Sequence, residues 1–287
     1  MSRAVLDCAM KAFHPLISTA ELAQSLGAPD LRVIDASWHL DGRDGRLDFE
    51  AARIPGAVFF DLEASSDTDN PLPHMLPLPE VFRRRMEALG VGSDDHLVVY
   101  DTVGIRSAPR AWWMLCVMGA RRVQVLDGGL PKWLAEGLAI EHGPAAPPPP
   151  SVFLPDVQER LVADVDDVRE ALGTEAQLLD ARAADRFSGC AAEPRPGLRS
   201  GHMPGALNLP FPGVIAPDGT MKDSISLKAL FDAAGLDLGR PIITTCGSGV
   251  TASILSLALA TLGKTSCVYD GSWAEWGGRD DLPIQTG

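Results

Sequence analysis

Cys246 is the residue in this chain best placed to act as a nucleophile. It follows the β-branched run Pro241–Thr245 and opens the stretch Cys-Gly-Ser-Gly-Val-Thr-Ala, after which a helical pattern begins. A strand, a glycine-rich turn and a helix in that order put the thiol at the carboxyl end of a parallel strand, where open α/β sheets bind ligands. Gly247 and Gly249 let the backbone curl so that successive N–H groups point inward as an anion nest. The helix N-terminus adds partial positive charge at the same point. Both effects favour a thiolate, the reactive form of cysteine. They also suit a persulfide or a bound oxyanion. The competing reading is a structural cysteine packed between strand and helix.

The elements that must hold this loop occur twice. The first half carries RVIDASW, ARIPGAVFFDL, HLVVYDTVGIRSAPRAWW and VQVLDGGLPKW. The second carries QLLDARA, GHMPGALNLPF, PIITTCGSGVTASIL and SCVYDGSWAEW. Asp35 pairs with Asp180, Pro55 with Pro204, Asp101 with Cys246 and Trp133 with Trp276, at a spacing of roughly 145 residues, which is a duplicated domain and far longer than a solenoid repeat. Between the halves, Gly143–Pro155 contains four consecutive prolines and reads as an extended spacer, with an ordinary loop insertion as the alternative. Short β-branched runs alternate with helix-forming stretches in each half, the pattern of mainly parallel sheets flanked by helices. The expected fold is therefore α/β, with domains at 1–142 and 161–287 joined by a linker at 143–160.

Bulk properties narrow the function. The 287 residues are 46% apolar and carry a formal net charge of −13. That charge repels phosphate backbones and anionic lipid, which sets nucleic-acid and membrane partners aside. Charged residues and Pro15 interrupt the N-terminal stretch, so neither a signal peptide nor a transit peptide is expected, and a cytoplasmic location is. Five cysteines (Cys8, Cys116, Cys190, Cys246 and Cys267) without a close pair read as reduced thiols, not as a disulfide framework or a zinc site. Cys8 reads as a terminal thiol, Cys116 as a helix residue, Cys190 as an exposed, oxidisable one and Cys267 as a strand start. The tryptophans read as core.

On the CGSGVTA run, YDGSW (269–273), GHMPG (201–205) and the duplication, the chain resembles the tandem-domain rhodanese superfamily, and within it the sulfurtransferases that use 3-mercaptopyruvate. The resemblance spans nearly the whole chain. It implies two rhodanese-like domains, the first catalytically silent because Asp101 stands at the cysteine position. It also implies a ping-pong reaction through a Cys246 persulfide, with pyruvate released. The outer sulfur would pass to thioredoxin, a small thiol or cyanide, without metal or organic cofactor. Arg186 and Arg195 match the arginines that clamp the donor's carboxylate and keto oxygen; a guanidinium fork suits a carboxylate. Arg182 and Arg199 match no ligand position. Asp61, His74 and Ser248 match a polar relay; the alternative is that Asp61 caps a turn while His74 packs in the interdomain seam. Val250 and Thr251 complete the persulfide loop, Thr251 as a stabiliser.

Relatives that prefer thiosulfate carry basic residues directly after the cysteine, whereas Gly247 and Ser248 are neutral. A less charged donor is expected here, with thiosulfate as the alternative. One departure from the family is Arg106, where an aromatic residue is common. If it reaches the cleft it favours more anionic molecules; the plainer reading is a surface substitution. Phosphatases and arsenate reductases on this fold use Cys-x5-Arg, and Ala252 and Ser253 occupy the candidate arginine positions. A non-catalytic binding module would be expected to have lost the cysteine.

Overall fold

The computed structural model describes residues 13–287, so Cys8 lies outside the described residues. The first domain runs β1 (Leu16–Ile17), α1 (Thr19–Ser25), β2 (Leu31–Asp35), α2 (Gly45–Ala51), β3 (Val58–Phe59), α3 (Pro79–Ala88), β4 (His96–Tyr100), α4 (Ala108–Val117), β5 (Arg122–Leu126) and α5 (Gly129–Ala135). The second repeats it with β6 (Val162–Ala163), α6 (Val165–Ala171), β7 (Gln177–Asp180), α7 (Ala184–Ser188), β8 (Leu207–Asn208), α8 (Ser224–Ala233), β9 (Ile242–Thr245), α9 (Ala252–Thr261), β10 (Cys267–Tyr269) and α10 (Ser272–Trp276).

The two sheets have orders β1-β5-β4-β2-β3 and β6-β10-β9-β7-β8, and every pairing is parallel. Each equivalent strand occupies the same place. Parallel sheets need cover on both faces, and the strand residues supply it by alternation. Leu97 and Val99 enter a core shared by both domains, while Val98 and Tyr100 enter a core private to the first. In the second domain Leu179 and Ile242 join the shared core; Leu178 and Ile243 join a private one.

The shared core is built around α4 and α9, which pack against each other. These are the helices that follow the Asp101 and Cys246 loops. Both are buried almost all round, as a helix at the centre of two domains must be. Trp113, Trp133, Trp273 and Trp276 are core residues.

The proline-rich segment is not a free spacer. Phe153 is fully buried and meets Phe82 of α3 edge-on at 5.6 Å. Backbone bonds from Ser93 to Val152, Asp156 to Met118 and Gln158 to Val117 strap the segment along the first domain. Proline runs supply no N–H donors, so the anchoring falls to the apolar and polar residues just after them.

Candidate active site

Cys246 lies directly beyond β9 and is 2% exposed. The loop that follows is fixed from the side by α10: Cys246 and Gly247 carbonyls accept from Trp273 N (3.0 Å) and Ala274 N (2.9 Å). Ser272 Oγ accepts from Cys246 N at 3.3 Å, and Ser272 itself sits at φ +49°. That strained backbone points a hydroxyl under the loop. The N–H groups from Gly247 to Ala252 donate to no backbone or side-chain acceptor among the described residues. Thr251 is the N-cap of α9, without a side-chain capping bond.

The first domain shows what such a loop holds. There the Asp101 carboxylate accepts from Val103 N (3.0 Å), Arg106 N (2.8 Å), Ser107 N (3.0 Å) and Ala108 N (2.9 Å). Asp101 is the Cys246 equivalent, so its own side chain fills the nest with an anion. Burial pushes the Asp101 carboxyl up, and the four donors oppose that.

Arg186 and Arg195 both reach Cys246's loop. A β-carbon added at Gly247 would lie 3.3 Å from Arg186 Nη2 and 3.9 Å from Arg195 Nη1, so glycine is what lets the two guanidiniums approach the backbone. Arg186 is held by Glu193 (Nη2–Oε2 2.5 Å), and Glu193 also pairs with Arg182 at 2.8 Å. Arg182 is buried between Asp180 (2.7 Å), Glu193 and the Trp273 ring (4.1 Å). Arg199 donates to the carbonyls of Trp276, Gly277, Arg279 and Leu282. Both are structural.

His74 Nδ1 lies 3.1 Å from Ser248 Oγ, across the domain boundary. The carboxylate on its other nitrogen is a correction to the sequence expectation. Glu63 Oε1, not Asp61, meets His74 Nε2 at 3.0 Å. Asp61 caps the turn ahead of Ala64, accepting its N–H at 3.0 Å. The chain turns back at Asp61–Ser65, so the carboxylate two residues on faces the cleft. Trp38 completes the niche, bonding Glu63 Oε1 at 2.8 Å and meeting the His74 ring edge-on at 4.8 Å. Burial lowers the pKa of His74; Glu63 opposes this, and Arg110 and Arg195 add to it. His74 has φ +61°, a conformation held by neighbours on every side.

Arg110 was also missed by motif reading. It is fully buried on α4, pairs with Asp270 at 2.6 Å and stacks on Trp113 at 4.3 Å. It also donates to the His74 carbonyl. Its Nη1 has no hydrogen-bond partner and lies beneath Gly249, 2.7 Å from where a β-carbon would be. Nothing in a serine- and proline-flanked arginine announces such burial.

Of the other cysteines, Cys116 is part-buried on α4 and burial pushes its thiol up to about 12. Cys190 is exposed, and Cys267 starts β10.

Comparison with known proteins matches the same two units. The Rhodanese-like domain model fits residues 18–136 and again 164–279. The chain belongs to the rhodanese-like family. Within that family it is 46% identical over 269 residues to a protein from Escherichia coli (strain K12) named 3-mercaptopyruvate sulfurtransferase, covering 92% of this chain and 95% of that one. It is 41% identical over 276 residues to a Cricetulus griseus protein named thiosulfate sulfurtransferase, covering 92% of each. The solved structure of SseA from Escherichia coli, described as a 3-mercaptopyruvate sulfotransferase of rhodanese fold, superposes with a TM-score of 0.83. That match has 42% identity and covers 91% of this chain and all of the other. No helix among the described residues is long and apolar enough to cross a membrane.

Proposed function

We propose that this rhodanese-like protein is a sulfurtransferase that moves sulfur from 3-mercaptopyruvate through a Cys246 persulfide to an acceptor thiol or cyanide. The observation that carries this reading is the approach of Arg186 and Arg195 to the neutral Gly247 of the Cys246 loop. A carboxylate held there sits beside the nucleophile, and Gly247 and Ser248 add no further cation to suit a doubly charged inorganic donor.

In the donor half-reaction the Cys246 thiolate attacks the thiol sulfur of mercaptopyruvate. A sulfur–sulfur bond forms, the carbon–sulfur bond breaks, and its electron pair leaves as pyruvate enolate, which takes up a proton. Arg186 and Arg195 hold the carboxylate and keto oxygen, and the keto oxygen gains charge as the enolate forms. Ser248, hydrogen-bonded to a His74 that burial biases toward its neutral form, places a proton near the departing carbon. Glu63 orients His74 in the role first given to Asp61. The loop N–H groups then cradle the persulfide as the Asp101 loop cradles a carboxylate.

Thioredoxin or a small thiol would take the outer sulfur in the cytoplasm. On this reading the catalytic unit is 161–287, with 1–142 as the silent partner and 143–160 between them.

The reading is tested by sulfur transfer to cyanide, comparing kcat/KM for mercaptopyruvate and thiosulfate, with Cys246→Ser as control. Loss of turnover in the variant and a large preference for mercaptopyruvate are expected. A thiosulfate preference keeps the persulfide and overturns the donor. That second reading is favoured by one observation, the cationic Arg106 side chain above Phe211.

A further inference from the structure

A second cationic feature involves neither Arg186 nor Arg195. It is a cavity of about 340 Å³ between the domains, lined by Arg106 from the first and by Phe211, Ile215, Pro217 and Lys222 from the second. The Arg106 guanidinium lies over the Phe211 ring, 5.1 Å from its centroid. Phe211 follows β8, and its N–H is held by the Ala181 carbonyl at 3.1 Å, so the cavity opens at the carboxyl end of the sheet that carries Cys246, two strands from β9.

The walls are fixed by both domains. Arg106 N donates to Asp101 at 2.8 Å, and Gly104 abuts the Gly219 carbonyl. The 215–221 hairpin is closed by Ala216 N to Thr220 O (2.8 Å) and tied across the seam by Met221 N to Asp127 Oδ1 (2.7 Å). No carboxylate lines the cavity. Asp218 and Asp223, close in sequence, are committed to Thr220 and to capping α8, and Asp127 accepts Met221 N. Neither Arg106 nor Lys222 has an ion-pair partner among the described residues, on a chain of net charge −13. Two uncompensated cations over an apolar floor at a domain seam form a site for a small anion with a carbon body.

We propose that this cavity binds the acceptor, a small thiol bearing carboxylates. The inference rests on the sulfurtransferase reading above. Arg186 and Arg195 already account for the donor's carboxylate, so a separate cation pair serves the second half-reaction. There the acceptor thiolate attacks the outer sulfur of the Cys246 persulfide. A new sulfur–sulfur bond forms as the old one breaks, and Cys246 leaves as thiolate. With the acceptor's carboxylates on Arg106 and Lys222, its thiol is directed toward Cys246.

The test uses the full chain, loaded with mercaptopyruvate, and two acceptors: mercaptosuccinate, which is anionic, and dithiothreitol, which is neutral. In Arg106→Ala and Lys222→Ala the ratio of kcat/KM for mercaptosuccinate to that for dithiothreitol is expected to fall about tenfold, the loss of one charge-assisted hydrogen bond. An unchanged ratio overturns the proposal. So does an effect confined to thiosulfate as donor, which makes the cavity a donor site. Calorimetry with S-methylmercaptosuccinate, which accepts no sulfur, reads the site without turnover. Binding to the parent chain, weakened in both variants, is expected; no binding to the parent overturns the site. If mercaptopyruvate releases no pyruvate while this binding persists, it is the sulfurtransferase reading that fails.

Discussion

Arg110 Nη2 lies 2.6 Å from Asp270 Oδ1 across the domain boundary, with both side chains buried. The pair does more than join two surfaces. Arg110 also donates to the His74 carbonyl, and Asp270 Oδ2 accepts Leu76 N at 2.7 Å, so the segment carrying His74 is clamped from both sides. The duplicated position in the first domain, Asp127, accepts Met221 N at the same 2.7 Å. One motif aspartate thus ties each domain to the other. Only the Asp270 tie includes a buried arginine, Arg110 of the first domain, which reaches across the boundary to lie beneath the catalytic loop.

Removing one member of a buried ion pair leaves the other without compensation, at a cost of about 3–5 kcal/mol. Asp270→Ala is therefore expected to lower the unfolding free energy by that amount, read from urea denaturation followed by tryptophan fluorescence. A loss below about 1 kcal/mol, the range of an exposed pair, would show that the link is not structural.

Asp35 and Asp180 are duplicates in different electrical settings. Asp180 is bonded bidentately by Arg182, whereas the matching position beside Asp35 is Ser37. Burial without an arginine pushes the Asp35 pKa up to about 6. A carboxyl whose folded pKa lies above its unfolded value of 3.8 contributes stability that is present below 3.8 and lost as pH rises through about 6. The shift corresponds to roughly 3 kcal/mol. Asp35→Asn should consequently gain on the parent chain between pH 4 and pH 8 by an amount of that order. Equal differences at both pH values would refute the assignment of Asp35 as the titrating group.

Much of this was legible in the sequence because duplication makes two weak signals into one strong one. The strand-ending aspartates, the two loops and the two α/β halves all appear twice, and the sheets superpose in strand order. The cysteine loop and the two arginines were legible from motif. What failed was any statement that depended on where the chain turns. Asp61 and Glu63 are both acids near a turn, and only the backbone path decides which one faces His74. Arg110 and Glu193 were invisible for a related reason. Arg110 meets Asp270 by packing between segments 160 residues apart, and Glu193 meets Arg186 seven residues away only through an irregular loop, neither of which a regular spacing encodes.

The Glu63–His74 contact has a signed consequence for pH dependence. Burial drives the His74 pKa down, and the Glu63 carboxylate draws it part of the way back. Glu63→Gln removes the charge, so the pKa falls further and His74 stays neutral to lower pH. The acid limb of the pyruvate-release rate is expected to move to lower pH in this variant. Asp61→Asn should leave that limb in place, since Asp61 bonds only its own turn. A shift with Asp61 and none with Glu63 would restore the original relay.

Gly247 and Gly249 separate chemistry from folding within three residues. Gly247 is not in the left-handed region, so alanine fits its backbone, but the new β-carbon would stand 3.3 Å from Arg186 Nη2 and 3.9 Å from Arg195 Nη1. It presses on the guanidiniums that would hold the donor. Gly247→Ala is expected to raise KM for mercaptopyruvate about tenfold, the loss of a good charge-assisted contact, with the urea midpoint nearly unmoved. Gly249 has φ +77°, and its β-carbon would come within 2.7 Å of the immobile Arg110. Backbone strain of about 1–3 kcal/mol then adds to a clash with a side chain that cannot retreat. Gly249→Ala should chiefly lower stability, shifting the urea midpoint well before activity at low temperature is lost. If both variants lost stability alike, the arginines would not be crowding Gly247, and the clamp would have to act from farther away.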